Sequence, residues 1–442
     1  MTSADVVDQL VPEVPEGWFR WPIPLNDWNK IGQIQDCAKG TIASVQVQIF
    51  YTLALVFIGR LATHLPACFQ KHLLDPLLFF LGYLSLVQWV DNAFVLRTAL
   101  IGAILAAIAI KYNTARWSGY TVTLAALGYI VALEYRLPAK DFANTRGFLM
   151  ILAMKVSSLA FDFERSLVRR RTASIPTMIS YLISPATITF GPFVSYDAHV
   201  KSLLPKPWRT ELQSLINTVF SLLLAGGTLV WGSCIIDLVF PKALRNFGTA
   251  QSFRASHYFV CYLSQALAQL SGIQTLTVDP VAIEVPWRLV DVVVSWNIPM
   301  HNYLKKYIFA ESRRYGNVIS LATTYIVSAL FHGFNFQLSA VLLSLGFYCY
   351  AEHELREKLT PRFGLNRYRG RAGRRNWVAT FINVLFLAVN VYHLIYLGMV
   401  FDGSASETGY STKHTIGVWK KQHYASHIIA FVTLLLSKLP VF

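Results

Sequence analysis

A chain of 442 residues that is 54% hydrophobic and only 14% charged lacks the polar surface of two or three soluble domains, which carry about 25% charged residues. Its net charge of +15 would suggest nucleic acid in a soluble protein. Here the basic residues sit in short loops beside apolar segments, so membrane lipids are the expected partner and nucleic acid is not. The five cysteines, Cys37, Cys68, Cys234, Cys261 and Cys349, are odd in number and form no CxxC pair. Neither a disulfide framework nor a metal site is therefore expected, and most of them read as free thiols.

The N-terminal 36 residues carry Asp5, Asp8, Glu13 and Glu16 where a cleavable signal would be basic. Trp18, Phe19 and Trp21, with Trp28 further on, read as an interfacial aromatic anchor. An interfacial segment over 1–36 is thus expected, followed by a single membrane domain over 37–442. Apolar stretches then recur at roughly 41–59, 73–91, 97–111, 117–134, 147–163, 176–195, 212–240, 255–274, 316–333, 335–352, 376–400 and 424–437. A spanning helix needs about 20 mostly apolar residues, and irregular backbone is tolerated where protein buries it. The expected fold is all-α: a polytopic membrane bundle of about eight to twelve spanning or re-entrant helices around a central chamber. The longest polar interruptions, 353–375 and 402–421, leave no room for a soluble domain. Activity must then reside in the bundle, as transport, signalling or intramembrane chemistry.

Three basic clusters stand out: Arg165 with Arg169, Arg170 and Arg171; residues 305–314; and residues 356–375. The last holds eight basic residues against one acid, Glu357. Two apolar passes separate the second and third clusters, so both are expected in the cytosol. The turn around Gly333, Phe334 and Asn335 then faces the other way, with His332 near a luminal opening. Asp162 and Glu164 beside Arg165 read as a structural ion pair or an orientation signal. Gly191-Pro192 is expected to break its segment. His257 reads as a helix-end residue and His353 as interfacial.

His332 and Asn297 are polar residues set in apolar runs, which makes them functional candidates by default; the alternative is a polar packing contact between helices. The pair suits acyl transfer. A neutral imidazole can accept the proton of an attacking hydroxyl, and an amide can orient a thioester or donate to a developing oxyanion. Lys305, Lys306, Arg313 and Arg314 could attract coenzyme A phosphates. Tyr392 and His393 could line a substrate tunnel or pack between helices.

The segments Ser295-Trp296-Asn297-Ile298-Pro299-Met300 and Ser328-Ala329-Leu330-Phe331-His332-Gly333-Phe334 resemble the membrane-bound O-acyltransferases. So do Ser256-His257-Tyr258-Phe259-Val260-Cys261-Tyr262-Leu263-Ser264, Phe190-Gly191-Pro192-Phe193-Val194-Ser195 and Tyr392-His393-Leu394-Ile395-Tyr396-Leu397-Gly398. The resemblance runs from about residue 150 onward, with a catalytic core over about 150–400. It is nearest to members that move palmitoleate from palmitoleoyl-CoA to a serine of Wnt proteins, with no further cofactor, as multi-pass proteins of the endoplasmic reticulum membrane. It implies His332 and Asn297 as the catalytic pair. It also implies Trp296, Ser328, Phe331, Tyr392, His393, Lys305 and Lys306 as residues that bind the acyl-CoA or the Wnt substrate. Gln337 stands where related members carry a second histidine; a Gln accepts no proton as His does, so that position is not expected to serve the chemistry. The competing readings are another acyltransferase of this family acting on a different secreted protein or a lipid, a scaffold for acylated Wnt, and a multi-pass transporter. The transporter reading lacks the inverted repeats and intramembrane carboxylates it would need.

Overall fold

The computed structural model describes residues 28–112, 118–333, 335–365, 377–403 and 410–440. Trp18, Phe19 and Trp21 and most of the third basic cluster lie outside the described residues. The described chain is mostly helical, with no strand among those residues. The helices that frame the site and the bundle begin with α1 Trp28–Ala62, α2 Ala67–Trp89, α3 Ala93–Tyr112, α4 Ser118–Arg136 and α5 Ala139–Arg165. There follow α6 Ile175–Leu182, α7 Trp208–Val230, α8 Arg245–Leu270, α9 Leu289–Trp296 and α10 Ile298–Tyr303. The last four are α11 Asn317–Phe331, α12 Phe336–Phe363, α13 Trp377–Gly398 and α14 Ala425–Lys438. Helix α1 runs through residue 36, where the boundary of an interfacial segment was expected.

Local chemistry sets the helix limits. Pro66, Pro138 and Pro207 stand immediately before α2, α5 and α7, where a fixed φ and a missing N–H do no harm. Ser174, Asn297 and Asn335 cap α6, α10 and α12 by accepting a hydrogen bond from the backbone N–H three residues on. Gly364, in the left-handed region at φ 66°, ends α12.

Four helical runs, Lys30–Ala62, Ala93–Tyr112, Trp208–Val239 and Trp377–Gly398, are long and apolar enough to cross a membrane. Two shorter apolar helices, Asn317–Phe331 and Ala425–Lys438, accompany them. Their outer faces carry large apolar side chains such as Phe50, Leu223 and Phe381, exposed by 73%, 69% and 63%. So much exposed apolar surface suits lipid rather than water. By contrast α2, α5, α8 and α12, with 23, 27, 26 and 28 residues, have spanning length, and α5, α8 and α12 bury polar side chains among them, including Lys155, Arg254, Gln265 and Glu352.

The apolar stretch at 176–195 does not form a continuous helix. After α6 the backbone is irregular as far as Ser195, with a cis Gly191-Pro192 bond and Gly191 at φ 84°. Protein buries this segment, which is what lets it lie at membrane depth. The Lys155 ammonium donates to the Tyr181 carbonyl at 2.9 Å and to Thr187 Oγ1 at 2.7 Å, and Tyr181 donates its hydroxyl to the Val194 carbonyl at 2.8 Å. These bonds satisfy polar groups that no helix partner reaches.

The cysteine expectation is corrected in one respect. Cys37 and Cys234 form a disulfide across 197 residues, while Cys68, Cys261 and Cys349 are free. The bond joins the start of α1 to the π-helical turn Trp231–Ile235 at the end of α7. At the opposite ends of the same two helices, Arg60 pairs with Glu211. The short helix Tyr196–Ser202 reaches Arg60 through the Ser202 carbonyl and Arg169 through Asp197. Asp162 in turn gathers Arg169 and Lys306, and Arg165 pairs with Glu311. The first two basic clusters thus converge at the end of the bundle opposite the disulfide.

Candidate active site

The interior holds two main apolar clusters. One is built from α2 to α6 with Tyr303, Tyr307 and Phe331; the other is built from α8, α9, α12 and α13. Between them lies a cavity of about 520 Å³, a size usual for a small-molecule site. Met154 and Phe193 form part of one wall; Val292, Val341, Leu345 and Leu397 form part of the other. Asn297, Trp296 and His332 all line it.

Asn297 stands at a break between α9 and α10. Its own backbone, at φ −145° and ψ 88°, is not helical. The break is bonded from several sides. The Asp279 N–H donates to the Ser295 carbonyl at 3.1 Å, the Ile298 N–H to the Thr277 carbonyl at 2.9 Å, and the His301 N–H to the Asn297 carbonyl at 2.9 Å. The Asn297 side-chain oxygen caps α10 by accepting from the Met300 N–H at 3.1 Å. That bond fixes which way the amide faces. With its oxygen committed to the backbone, the group that Asn297 offers the cavity is its NH2. Towards a bound carbonyl it is therefore a donor.

His332 closes α11, its backbone N–H donating to the Ala329 carbonyl at 3.0 Å. Gly333 follows at φ 84°. A Cβ there would come within 2.7 Å of Glu134 Oε2 and 2.9 Å of the Phe142 ring, so only glycine lets the chain turn so tightly against α4 and α5. Helix α11 has 15 residues, which puts His332 about 22 Å along from Gly316, just after the second basic cluster ends. No hydrogen bond within the described residues holds its ring, which can meet a molecule in the cavity.

Trp296 is part of an aromatic stack. Its indole lies 5.9 Å from the Phe253 ring and 4.2 Å from the His257 ring, the latter nearly parallel at 10°. His257 is not a helix-end residue as expected. It lies in the middle of α8 and lines the cavity, because α8 starts at Arg245, well before the apolar run that suggested its beginning. Arg254, one turn earlier, also lines the cavity and pairs with Glu284 through Nε at 2.9 Å and Nη2 at 3.0 Å. Both line the cavity beside Ser256 and Ser264, so they lack the uniformly apolar surroundings that singled out Asn297 and His332.

The remaining expected site residues lie elsewhere. Ser328 is buried in α11. Phe331 packs edge-on against Tyr303 at 5.6 Å. Tyr392 contacts the rings of His393 and Tyr396. His393 is buried against Tyr348 and hydrogen-bonds Ser426 Oγ, a packing contact between helices. Lys305 is exposed, and Lys306 bonds Asp162 at 3.0 Å and the Tyr307 hydroxyl at 2.7 Å. None of these six lines the cavity. Gln337 is buried and donates to the Val400 carbonyl at 2.6 Å.

The model of the membrane-bound O-acyltransferase family matches residues 77–397, reaching back into α2 and upstream of the region where the resemblance is legible by motif. A protein-serine O-palmitoleoyltransferase porcupine of Mus musculus is 30% identical over 451 residues, covering 90% of this chain and 95% of the relative. The protein of that name from Homo sapiens is 34% identical over 336 residues, 65% of this chain and 71% of the relative. The one from Anopheles gambiae is 33% identical over 375 residues, 72% and 76% of the two chains.

Proposed function

This chain belongs to the membrane-bound O-acyltransferase family, and from that premise we propose that it is a protein-serine O-palmitoleoyltransferase, moving palmitoleate from palmitoleoyl-CoA to a serine of Wnt proteins. The observation that carries the proposal is that Asn297 and His332, each at a helix break, line one apolar cavity.

In this reading the acceptor serine Oγ attacks the thioester carbon. His332 takes the hydroxyl proton as the C–O bond forms. Asn297 donates from its NH2 to the carbonyl oxygen as negative charge builds there. The C–S bond breaks, and His332 returns the proton to the coenzyme A sulfur. Each of the two roles is typically worth about a hundred- to a thousand-fold or more in rate. The apolar walls would hold the acyl chain. No cofactor beyond the donor is needed for this balance.

The disulfide supports an oxidising compartment for its end of the bundle, which fits the lumen of the endoplasmic reticulum. The converging basic clusters support a cytosolic position for the other end, where the coenzyme A phosphates would enter. His332, some 22 Å from the end of the second basic cluster by helix rise, would then be within reach of an acceptor from the lumen.

The test is transfer by purified protein from labelled palmitoleoyl-CoA to a disulfide-closed hairpin peptide with one serine, beside a lysophospholipid acceptor. Label on the serine peptide, absent when Ser is replaced by Ala, is expected. Label on the lysophospholipid alone would overturn the proposal in favour of a lipid acyltransferase.

A further inference from the structure

We infer that His257 is a positioning residue for the transfer: its Nε2–H, donated to the carbonyl of Trp296, sets where the Asn297 amide stands. The inference rests on the proposed role of Asn297 as donor to the thioester oxygen.

Nothing in the proposed chemistry requires a second histidine in the cavity, yet His257 lines it. Its Nε2 lies 2.7 Å from the Trp296 carbonyl oxygen. A carbonyl oxygen only accepts, so Nε2 carries the proton. The same nitrogen lies 3.3 Å from Cys261 Sγ, one helical turn on. With Nε2 committed as a donor, that nitrogen can accept a proton neither from an incoming hydroxyl nor from the Cys261 thiol. This separates His257 from His332, whose ring no such bond among the described residues holds.

The Trp296 carbonyl is the last of α9. The chain leaves the helix at the next residue, so no backbone N–H one turn on can reach it. Left unsatisfied among apolar side chains it would be costly. This carbonyl belongs to the peptide that joins Trp296 to Asn297. A bond to its oxygen therefore fixes the plane from which Asn297 departs. The stacked rings of His257 and Trp296, 4.2 Å apart, hold the same residue at a second point. The other restraints on the break come from backbone groups, from Asn297 itself and from the Cys261 thiol, which lies 3.9 Å from the same carbonyl oxygen. At 2.7 Å His257 is the nearer of the two side-chain donors to that carbonyl, and substitution can remove it while leaving the backbone bonds alone.

The test uses the full chain and three proteins: wild type, His257→Phe and His257→Gln. Phe keeps a ring for the stack and has no donor. Gln loses the ring but carries an N–H the same number of bonds from Cα as His Nε2. A donor displaced by about 1 Å costs on the order of a hundredfold in rate. The Phe variant is therefore expected to lose about ten- to a hundredfold in kcat, with KM and directly measured binding of palmitoleoyl-CoA unchanged and the thermal midpoint lowered by the carbonyl left without its donor. The Gln variant is expected to recover most of that loss. A Phe variant as fast as wild type, or a Gln variant as slow as Phe, would overturn the inference. If the Phe variant does not fold, His257→Met takes its place with the same expectations. A wild-type chain that acylates no serine peptide overturns the functional proposal and this inference with it; an active wild type beside an unimpaired Phe variant overturns this inference alone.

Discussion

Asn297 and His332 both stand where a helix stops, but the two breaks are held differently. Hydrogen bonds surround the break at Asn297: its side-chain oxygen caps α10, and neighbouring backbone groups and His257 hold the peptides on either side. The break at His332 has backbone bonds from its own N–H and that of Gly333, and is otherwise held by shape, through a glycine pressed against Glu134 and Phe142. The first arrangement suits a donor, which must keep one direction before the reaction begins. The second leaves an imidazole ring with no hydrogen bond among the described residues, as suits a group that takes up and returns a proton.

Removing that ring is expected to have the largest effect. His332→Ala should lower transfer by about a hundred- to ten-thousandfold, with insertion and thermal midpoint unchanged. Next comes Asn297→Asp. An aspartate caps a helix as well as asparagine does, so α10 should persist, but it has no N–H to donate. A loss of about a hundred- to a thousandfold in kcat with wild-type stability is expected. An Asn297→Asp protein that turns over normally would reduce Asn297 to a helix cap and erase the difference between the two breaks.

The next two substitutions act on the supports. Glu352 is buried, accepts from the Leu289 N–H at 2.6 Å at the start of α9, and pairs with Arg356 at 2.6 Å. It anchors the far end of the helix that carries Asn297. Glu352→Ala leaves that N–H without its acceptor and Arg356 without its carboxylate, keeping only the neutral oxygens of Asn383 and Trp287, and should cost about 3 kcal/mol of stability, read as a lowered thermal midpoint. Gly333→Ala should cost less, about 1–2 kcal/mol for the positive φ, plus whatever the contact with Glu134 adds. Its kcat should fall, since the turn directs His332. If Gly333→Ala leaves both stability and kcat intact, shape does not hold the second break.

How much of this was legible in the sequence follows the same division. Asn297 and His332 were visible because a polar side chain in an apolar run is conspicuous. The turn after His332 was visible through Gly333. The acyltransferase family was legible in the motifs around these residues. His257 was missed because Gln251, Ser252 and Arg254 make the start of α8 look like a loop, although these side chains find partners inside the fold. The Cys37–Cys234 bond joins positions 197 residues apart, and no local pattern announces such a pair. The apolar stretch at 176–195 had the composition of a span; the buried Lys155, which satisfies its interrupted backbone, lies on another helix. Lys306 and Tyr392 looked like site residues through their neighbours in the chain, whereas their side chains are occupied by Asp162 and by other rings.

The most direct test of the two-residue site measures donor binding and transfer side by side in wild type, His332→Ala and Asn297→Asp. With palmitoleoyl-CoA and the serine hairpin peptide, all three proteins should bind the donor alike, and only the wild type should transfer it at an appreciable rate. Retention of more than about a tenth of wild-type transfer by His332→Ala, far above the loss expected for a removed general base, would contradict the account.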